Sequence, residues 1–304
     1  MTLVIPTAGQ RLDLLKRTLD ALAVCRKPAC YGGAIVIENG GRHGVEAVVA
    51  QCPAALNARY LFHPQGNKSA ALNAVLEQLG DGLIVFFDDD VRMDADLLEQ
   101  YARAAADVEG GCYFGGPTEV DYETPPPAWL RTFLPNSARG WSPKAGEDPD
   151  RLRFLGFNWA AFAADLRAVG GFDPTRGPGA ATGSTGQETD MQHRLIAAGL
   201  RSVYLPSAKV WHYVPVKRCT PEWALERAYR NGIKTGLMRP SGMNPHWLGR
   251  AREWANMGLV YSRYMREAAL WSVVGGVSRR PERRFRGQWM RQRFYGMLEG
   301  FRRR

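Results

Sequence analysis

The chain has 304 residues, 45% of them apolar and 23% charged, with a formal net charge of +10. That profile excludes global disorder and fits an ordinary soluble globular protein of one large or two modest domains. No apolar run approaches the ~20 residues of a spanning helix, and the opening "MTLVIPT" is strand-like rather than a leader. Cys25, Cys30, Cys52, Cys112 and Cys219 show no CxxC spacing, which predicts reduced thiols in a cytoplasmic protein without a zinc site.

The first half alternates β-rich runs with helix-patterned segments. Thr2–Thr7 reads as a strand, and "RLDLLKRTLDALAVC" behind it places apolar residues at helical spacing. Ala34–Asn39 is a second strand, closed by Gly40 and Gly41 and followed by helical "GVEAVVAQC". Ala58–Pro64 is a third, with "NKSAALNAVLEQLG" as its helix, ending at Gly80. "LIVFFDDD" is the fourth; its apolar residues are continuous, as in a strand covered on both faces of a mostly parallel sheet. This alternation specifies βαβ units and a doubly wound α/β domain. Beyond Glu119, "TPPPAWLRTFLPNSARGWSPKAGEDPD" has many prolines and little periodicity; it reads as a long loop shaping a second ligand's pocket. Regularity resumes in "GFNWAAFAADLRAVGGFDP", helical "QETDMQHRLIAAG" and strand-like "SVYLPSAKVWHYVP". From Pro221 the pattern is mostly helical.

In such sheets ligands bind beyond the carboxyl ends of the strands, where "PT", "ENGG" and "DDD" all fall. Asp88, Asp89 and Asp90 cannot share a partly dry crevice as anions without a cation to offset them. Mg²⁺ or Mn²⁺ suits such oxygen ligands, usually with substrate phosphates completing the shell. The competing reading is a helix N-cap cluster before "DADLLEQYARAAADV", a job for which Asp94 is better placed. Glu188 and Asp190 open a helix after a Gly-rich entry; one such carboxylate is often a cap, whereas two suggest a proton acceptor for an attacking hydroxyl. His212 ends an apolar run and is either structural or, beside the aspartates, a metal ligand.

Taken in order, "VIPTAGQR", "GNKSAALNAVL", "FFDDD", "GFNWAAFAADLRAVGGFDPTRGPG", "GQETDMQHRLIAAGLRSVYLP" and "VWH" resemble family 2 glycosyltransferases of the GT-A fold, over about Leu3 to Val214. The resemblance implies a Rossmann-like, mostly parallel sheet flanked by helices. It places a UDP-, GDP- or TDP-sugar donor in about residues 1–120 and an acceptor pocket in about 121–220. Pro6, Thr7 and Arg11 match the first nucleotide-binding loop, and Glu38 an acidic residue that contacts base or ribose. Gly66, Lys68 and Asn73 match the helix bordering the nucleoside. Asp88 would touch the ribose side, with Asp89 beside it, and Asp90 would coordinate a divalent cation on the diphosphate, with His212 as a further metal or diphosphate contact. Where the family commonly writes Gly-Glu-Asp, this chain has Gly186-Gln187-Glu188, so the base falls on Glu188, with Asp190 as the alternative. The implied reaction is a single displacement that inverts the anomeric centre. Trp129, Trp141 and Trp159 stand in segments expected to form the acceptor wall, or are core tryptophans.

Residues 221–304 are expected to form a basic, aromatic-rich helical region. From Arg239 onward arginines interleave with Trp247, Trp254, Trp271, Trp289, Phe285, Phe294, Tyr261 and Tyr264. That composition fits an anionic membrane surface, which would place the protein on the inner face of the membrane. It also fits a second subunit, as in a homodimer, or a solvated face; nucleic acid is the least favoured partner. Small-molecule, glycan and lipid-linked acceptors all stay open. Two rival functions stand beside sugar transfer: a nucleotidyltransferase, disfavoured by a loop after the first strand with only Gly9 and Arg11, and a sugar-nucleotide-binding module without catalysis.

Overall fold

The computed structural model describes residues 1–108, 110–183, 185–237 and 247–303, with side chains at Ala255 and from Gly258 onward in the helix that begins at Trp247. Arg239 and the side chains of Trp247 and Trp254 lie outside the described residues. In chain order the elements are β1 (Thr2–Thr7), α1 (Leu12–Val24), β2 (Gly33–Asn39), α2 (Val45–Ala50), β3 (Ala58–His63), α3 (Lys68–Leu76), β4 (Leu83–Phe86), β5 (Val91–Met93), α4 (Leu97–Ala106) and β6 (Cys112–Gly115). Then come β7 (Thr118–Tyr122), α5 (Ala128–Arg131), β8 (Trp159–Phe162), α6 (Ala163–Ala168), α7 (Gln187–Ala197), β9 (Arg201–Tyr204), β10 (Val210–Val214), α8 (Pro221–Leu237), α9 (Trp247–Val277) and α10 (Pro281–Arg302). They form two compact units. One comprises Met1–Asp121, Arg139–Ala181 and Gly186–Val214, the other Tyr122–Ala138, Thr182–Thr185 and Pro215–Arg304.

Among the described residues, the main sheet of the first unit has the order β3-β2-β1-β4-β8-β6-β9. Every neighbouring pair is parallel except the two that involve β8. Both faces are covered, and alternate residues supply them. Leu3, Ile5, Ala34, Val36, Val85 and Phe87 join Leu15, Leu19 and Leu22 of α1 in one core. Val4, Ile35, Ile37, Ile84 and Phe86 join Leu72 and Val75 of α3 in the other. Continuous apolar runs in β1, β2 and β4 are therefore a consequence of two-sided burial. The doubly wound α/β expectation holds, with one antiparallel strand inserted.

Several local expectations are corrected. The fourth strand stops at Phe86, because three aspartates cannot continue a buried ladder. Val91–Met93 is instead a separate strand in a small sheet of order β5-β10-β7. "SVYLPSAKVWHYVP" splits at Pro206 into β9 and β10, which belong to different sheets. α3 ends at Leu76 rather than at Gly80. Asp94 does not cap α4: the cap residue is Asp96, whose carboxylate pairs with Arg26 instead of the helix. Of the proline-rich stretch, Tyr122–Ala138 belongs to the second unit.

Two contacts set the chain around the triplet. Thr18 of α1 donates its hydroxyl to the Val91 carbonyl at 2.9 Å and accepts from the Val91 amide at 3.0 Å. The Tyr213 amide of β10 donates to the Asp90 carbonyl at 2.9 Å. The turn carrying Asp88–Asp90 is thus clamped between a helix of one layer and a strand of the small sheet.

In the second unit α8 and α10 pack backbone to backbone. A methyl group on Gly296 would lie 1.9 Å from the Tyr229 carbonyl oxygen, and one on Gly300 2.2 Å from that of Ile233. From the facing side, one on Gly232 would lie 2.2 Å from the Arg293 oxygen. Beside this seam Phe133 packs edge-on against Phe285 and Trp129, and Trp289 donates its indole N–H to the Phe133 carbonyl at 3.2 Å. Gly296→Val is expected to force the helices apart and cost about 1–3 kcal/mol or more. Urea unfolding should show a lowered midpoint, and an unchanged midpoint would refute the close approach.

Candidate active site

β1, β2 and β4 end side by side, so Thr7, Glu38 and the aspartate triplet reach the same edge of the sheet. Thr7 pairs with Glu38 in register. Its hydroxyl donates to Asp89 Oδ2 at 2.5 Å. Arg11, at the entry of α1, forks across two neighbours: Nη2 to Asp89 Oδ1 and Nη1 to Asp90 Oδ2, each 2.5 Å. Asp90 also lies 3.3 Å, Oδ1 to Nε2, from His212 of β10, whose ring stacks on Phe157 at 4.5 Å. Lys68, the first residue of α3, pairs with Asp88. Each aspartate therefore has a cationic or protonatable partner from a different element.

The electrostatics separate the three acids. Burial on its own would raise the Asp90 carboxyl, but His212 and then Arg11 outweigh it and hold the group well below the usual carboxylate range. For Asp89 burial prevails over Arg11, helped by the neighbouring Asp90, and the carboxyl is pushed up. Lys68 is buried, which alone would lower its ammonium; Asp88 and Glu188 overcome this and raise it.

Glu188 stands in the first turn of α7, after Gly186 in a left-handed conformation. It lines a cleft with Pro6, Lys68, Trp159 and Phe172. Asp190, two residues on and so turned to the opposite side of the helix, is held by Arg176 Nε at 3.3 Å and Arg194 Nε at 3.0 Å. The two carboxylates that sequence left as alternatives thus differ in kind: Glu188 looks into the cleft beside Lys68, and Asp190 is locked between arginines. Lys68 links the two halves of the site, bonding Asp88 and facing Glu188.

The other expected nucleotide contacts are placed as follows. Glu38 is fully buried; Oε1 accepts from the His43 amide at 2.6 Å and Oε2 from the Tyr60 hydroxyl at 2.7 Å. Its carboxylate shapes the loop after β2, and burial, reinforced by this carboxylate, pushes the Tyr60 phenol up to about 12. Asn73 spends its amide on Phe172, donating to the carbonyl at 2.8 Å and accepting from the amide at 2.7 Å. Gly66 lies against Gly179, where φ is +82° and a methyl group would fall 1.7 Å from the Gly66 oxygen. Of the three tryptophans, Trp159 is buried and stacks on Phe86 at 4.8 Å while edging the cleft. Trp141 packs edge-on against Phe154 and Tyr204, and Trp129 belongs to the second unit.

Sequence reading missed the loop Phe172–Ala180 as a part of the site. It lays the Arg176 carbonyl on the Ser69 hydroxyl at 2.9 Å and the Pro178 carbonyl on the Lys68 amide at 3.1 Å, while Arg176 itself grips Asp190. The signal was present in "FDPTRGPG", whose arginine and two glycines serve this docking.

The chain matches the model of a family described as glycosyltransferase like family 2, over residues 1–231. It belongs to that glycosyltransferase family. Among solved structures it is similar to a mannosyltransferase, PcManGT from Pyrobaculum calidifontis, in complex with GDP-Man and Mn²⁺, at 17% identity and TM-score 0.59, covering 98% of this chain and 86% of that one. It is also similar to S. aureus TarS 1-349 in complex with UDP-GlcNAc, at 12% identity and TM-score 0.53, over 99% and 91% of the two chains. GalNAc-T7 with UDP, GalNAc and Mn²⁺ aligns at 13% identity and TM-score 0.52, over 84% and 54%. No curated protein sequence matches. The shared fold is GT-A, and the family makes this chain a glycosyltransferase, which displaces both the nucleotidyltransferase and the non-catalytic module.

For this glycosyltransferase, the Asp90 pairings make a pH prediction. A carboxyl held low in the folded state contributes stability that is complete above the unfolded value of about 3.9 and is lost as pH falls through the folded one. Asp90→Asn should therefore cost about 1–3 kcal/mol at pH 7, discounted because Arg11 is 33% exposed. The gap to wild type should narrow below about pH 4. Urea titrations at a series of pH values read this directly; a gap that widens toward acid would overturn the ion-pair account.

Proposed function

We propose that the enzyme transfers the sugar with inversion, with Glu188 as the base, and that a divalent cation at Asp90 and His212 is needed for donor binding. The observation that carries this reading is the position of Lys68, which pairs with Asp88 of the acidic triplet and lines the same cleft as Glu188. A hydroxyl deprotonated by Glu188 would be close to the donor end of the site, as a single displacement requires, with no enzyme nucleophile.

Formal charge supports the cation. Asp88, Asp89, Asp90 and Glu188 bring four carboxylates, against Arg11, Lys68 and, when protonated, His212. A diphosphate entering this balance would be repelled. The donor set fits the ion: a carboxylate oxygen and an imidazole nitrogen lie side by side at the sheet edge. Among the described residues no three His, Cys, Asp or Glu side chains are grouped to hold a metal by themselves, so the remaining ligands would be diphosphate oxygens, as is usual for Mg²⁺. Bound there, Mn²⁺ or Mg²⁺ would supply Lewis-acid stabilisation of the departing diphosphate.

The chain's own residues do the rest. Arg11 and Thr7 hold Asp89 and Asp90 in a fixed orientation. Arg176 and Arg194 fix the first turn of α7 through Asp190, and with it the turn that carries Glu188. Trp159, Phe86 and Phe172 keep the floor of the cleft apolar. The acceptor is a hydroxyl of a small molecule, a glycan or a lipid-linked saccharide.

Glu188→Gln is expected to lower transfer by about 10²–10⁴-fold while nucleotide affinity, read by thermal shift with UDP-, GDP- and TDP-sugars, stays unchanged. Near wild-type turnover in that variant would remove Glu188 as base. EDTA should abolish transfer of labelled sugar and added Mn²⁺ should restore it; turnover indifferent to both would sink the cation.

A further inference from the structure

Residues 247–304 hold fourteen arginines and four acidic residues, so this segment alone carries the chain's net charge of +10. The helix α9 that opens it has one face committed to α10. On that face Ala268 is buried, Tyr261 meets Phe294 at 4.7 Å, and Arg293 and Arg286 of α10 lie over Tyr264 and Trp271. The opposite face runs through Leu259, Arg263, Arg266, Leu270, Val273 and Val277, spaced alternately by four and three residues and so aligned in one stripe. Leu259, Leu270, Val273 and Val277 are 66%, 58%, 69% and 85% exposed. Single exposed aliphatic residues are ordinary, but four on one stripe are not. The stripe is roughly 27 Å long, and exposed Arg279 and Arg280 follow it.

We propose that this stripe seats α9 flat on the surface of an anionic lipid bilayer, aliphatic side chains in the acyl boundary and Arg263, Arg266, Arg279 and Arg280 on the headgroup phosphates. Among the described residues no helix is long and apolar enough to cross a membrane, so the helix lies on the bilayer. Charge chooses this partner over the others. The stripe itself holds no acidic residue, and the nearest carboxylate, Glu267 on its flank, is already paired with Arg263 at 3.2 Å, so a second copy docked on it would bring Arg266, Arg279 and Arg280 against their like. A nucleic acid would satisfy the arginines and leave Leu270, Val273 and Val277 in water.

The test uses the full chain in sedimentation with vesicles of phosphatidylcholine alone or with about 30% phosphatidylglycerol, at about 150 mM salt. Binding to the anionic vesicles only is expected. The variant Leu270→Glu/Val273→Glu/Val277→Glu changes exposed positions; with an unchanged thermal melt it should lose at least about tenfold in partitioning, as should Arg263→Glu/Arg266→Glu. Transfer to a water-soluble acceptor should be unaffected by either, which keeps this result separate from the catalytic reading. Absent binding of the wild type to anionic vesicles overturns the proposal. So does a triple-glutamate variant that binds as well as wild type, since adsorption would then be purely electrostatic. A wild-type dimer in gel filtration that the same variant dissociates, without vesicle binding, would assign the stripe to a second copy.

Discussion

Arg11 reaches from the entry of α1 to Asp89 and Asp90 at 2.5 Å each, and the rest of the site is arranged around that fork. Three adjacent carboxylates at the end of a buried strand carry a desolvation cost that only close, well-directed partners can offset. The fork supplies two charge-assisted bonds to one guanidinium, Thr7 adds a hydroxyl, Lys68 answers Asp88, and His212 closes the far side of Asp90. Because these partners come from β1, α1, α3 and β10, the triplet cannot be satisfied until all four have packed. The polar site is thus a product of the tertiary fold, and its geometry is as fixed as the core beneath it.

The same dependence explains what was legible in sequence and what was not. β1, β2, β3 and the start of β4 were readable to within a residue, since two-sided burial writes a continuous apolar run with polar punctuation. The insertion of β8 between β4 and β6 was not, because nothing local in "WAAF" says which strand it will pair with, or in which direction. Nor was the split of "SVYLPSAKVWHYVP" between two sheets, which hydrophobic pattern alone cannot distinguish from one long strand. At the site, the triplet and its histidine were visible as chemistry out of place in apolar runs. Arg176 was visible only as one residue of "FDPTRGPG"; an arginine in a Gly- and Pro-rich loop carries no periodicity, and its role appears only when the loop lies on α3.

The two acids of α7 show how structure assigns roles that spacing leaves open. Glu188 and Asp190 are two residues apart, so a helix turns them about 200° from each other and they cannot serve one ligand together. Asp190 meets Arg176 and Arg194 and becomes a tie between the Phe172–Ala180 loop and the helix. Glu188 is left facing Lys68 across the cleft. The helix that carries Glu188 starts at Gly186, which adopts a left-handed conformation that other residues resist.

His212 depends on register in a way that none of the other site residues does. β10 alternates buried Val210, His212 and Val214 with the more exposed Trp211 and Tyr213, and pairs antiparallel with β5 so that His212 stands opposite Val91. A slip of one residue would turn Trp211 or Tyr213 toward Asp90 and send the imidazole to the other face. The bond from the Tyr213 amide to the Asp90 carbonyl opposes that slip at the residue next to the histidine, and the Phe157 ring holds the imidazole plane. A three-residue strand would be a weak ruler by itself. It suffices here because Thr18 grips Val91 from the other layer, so the last aspartate of the triplet is positioned from α1 and β10 together.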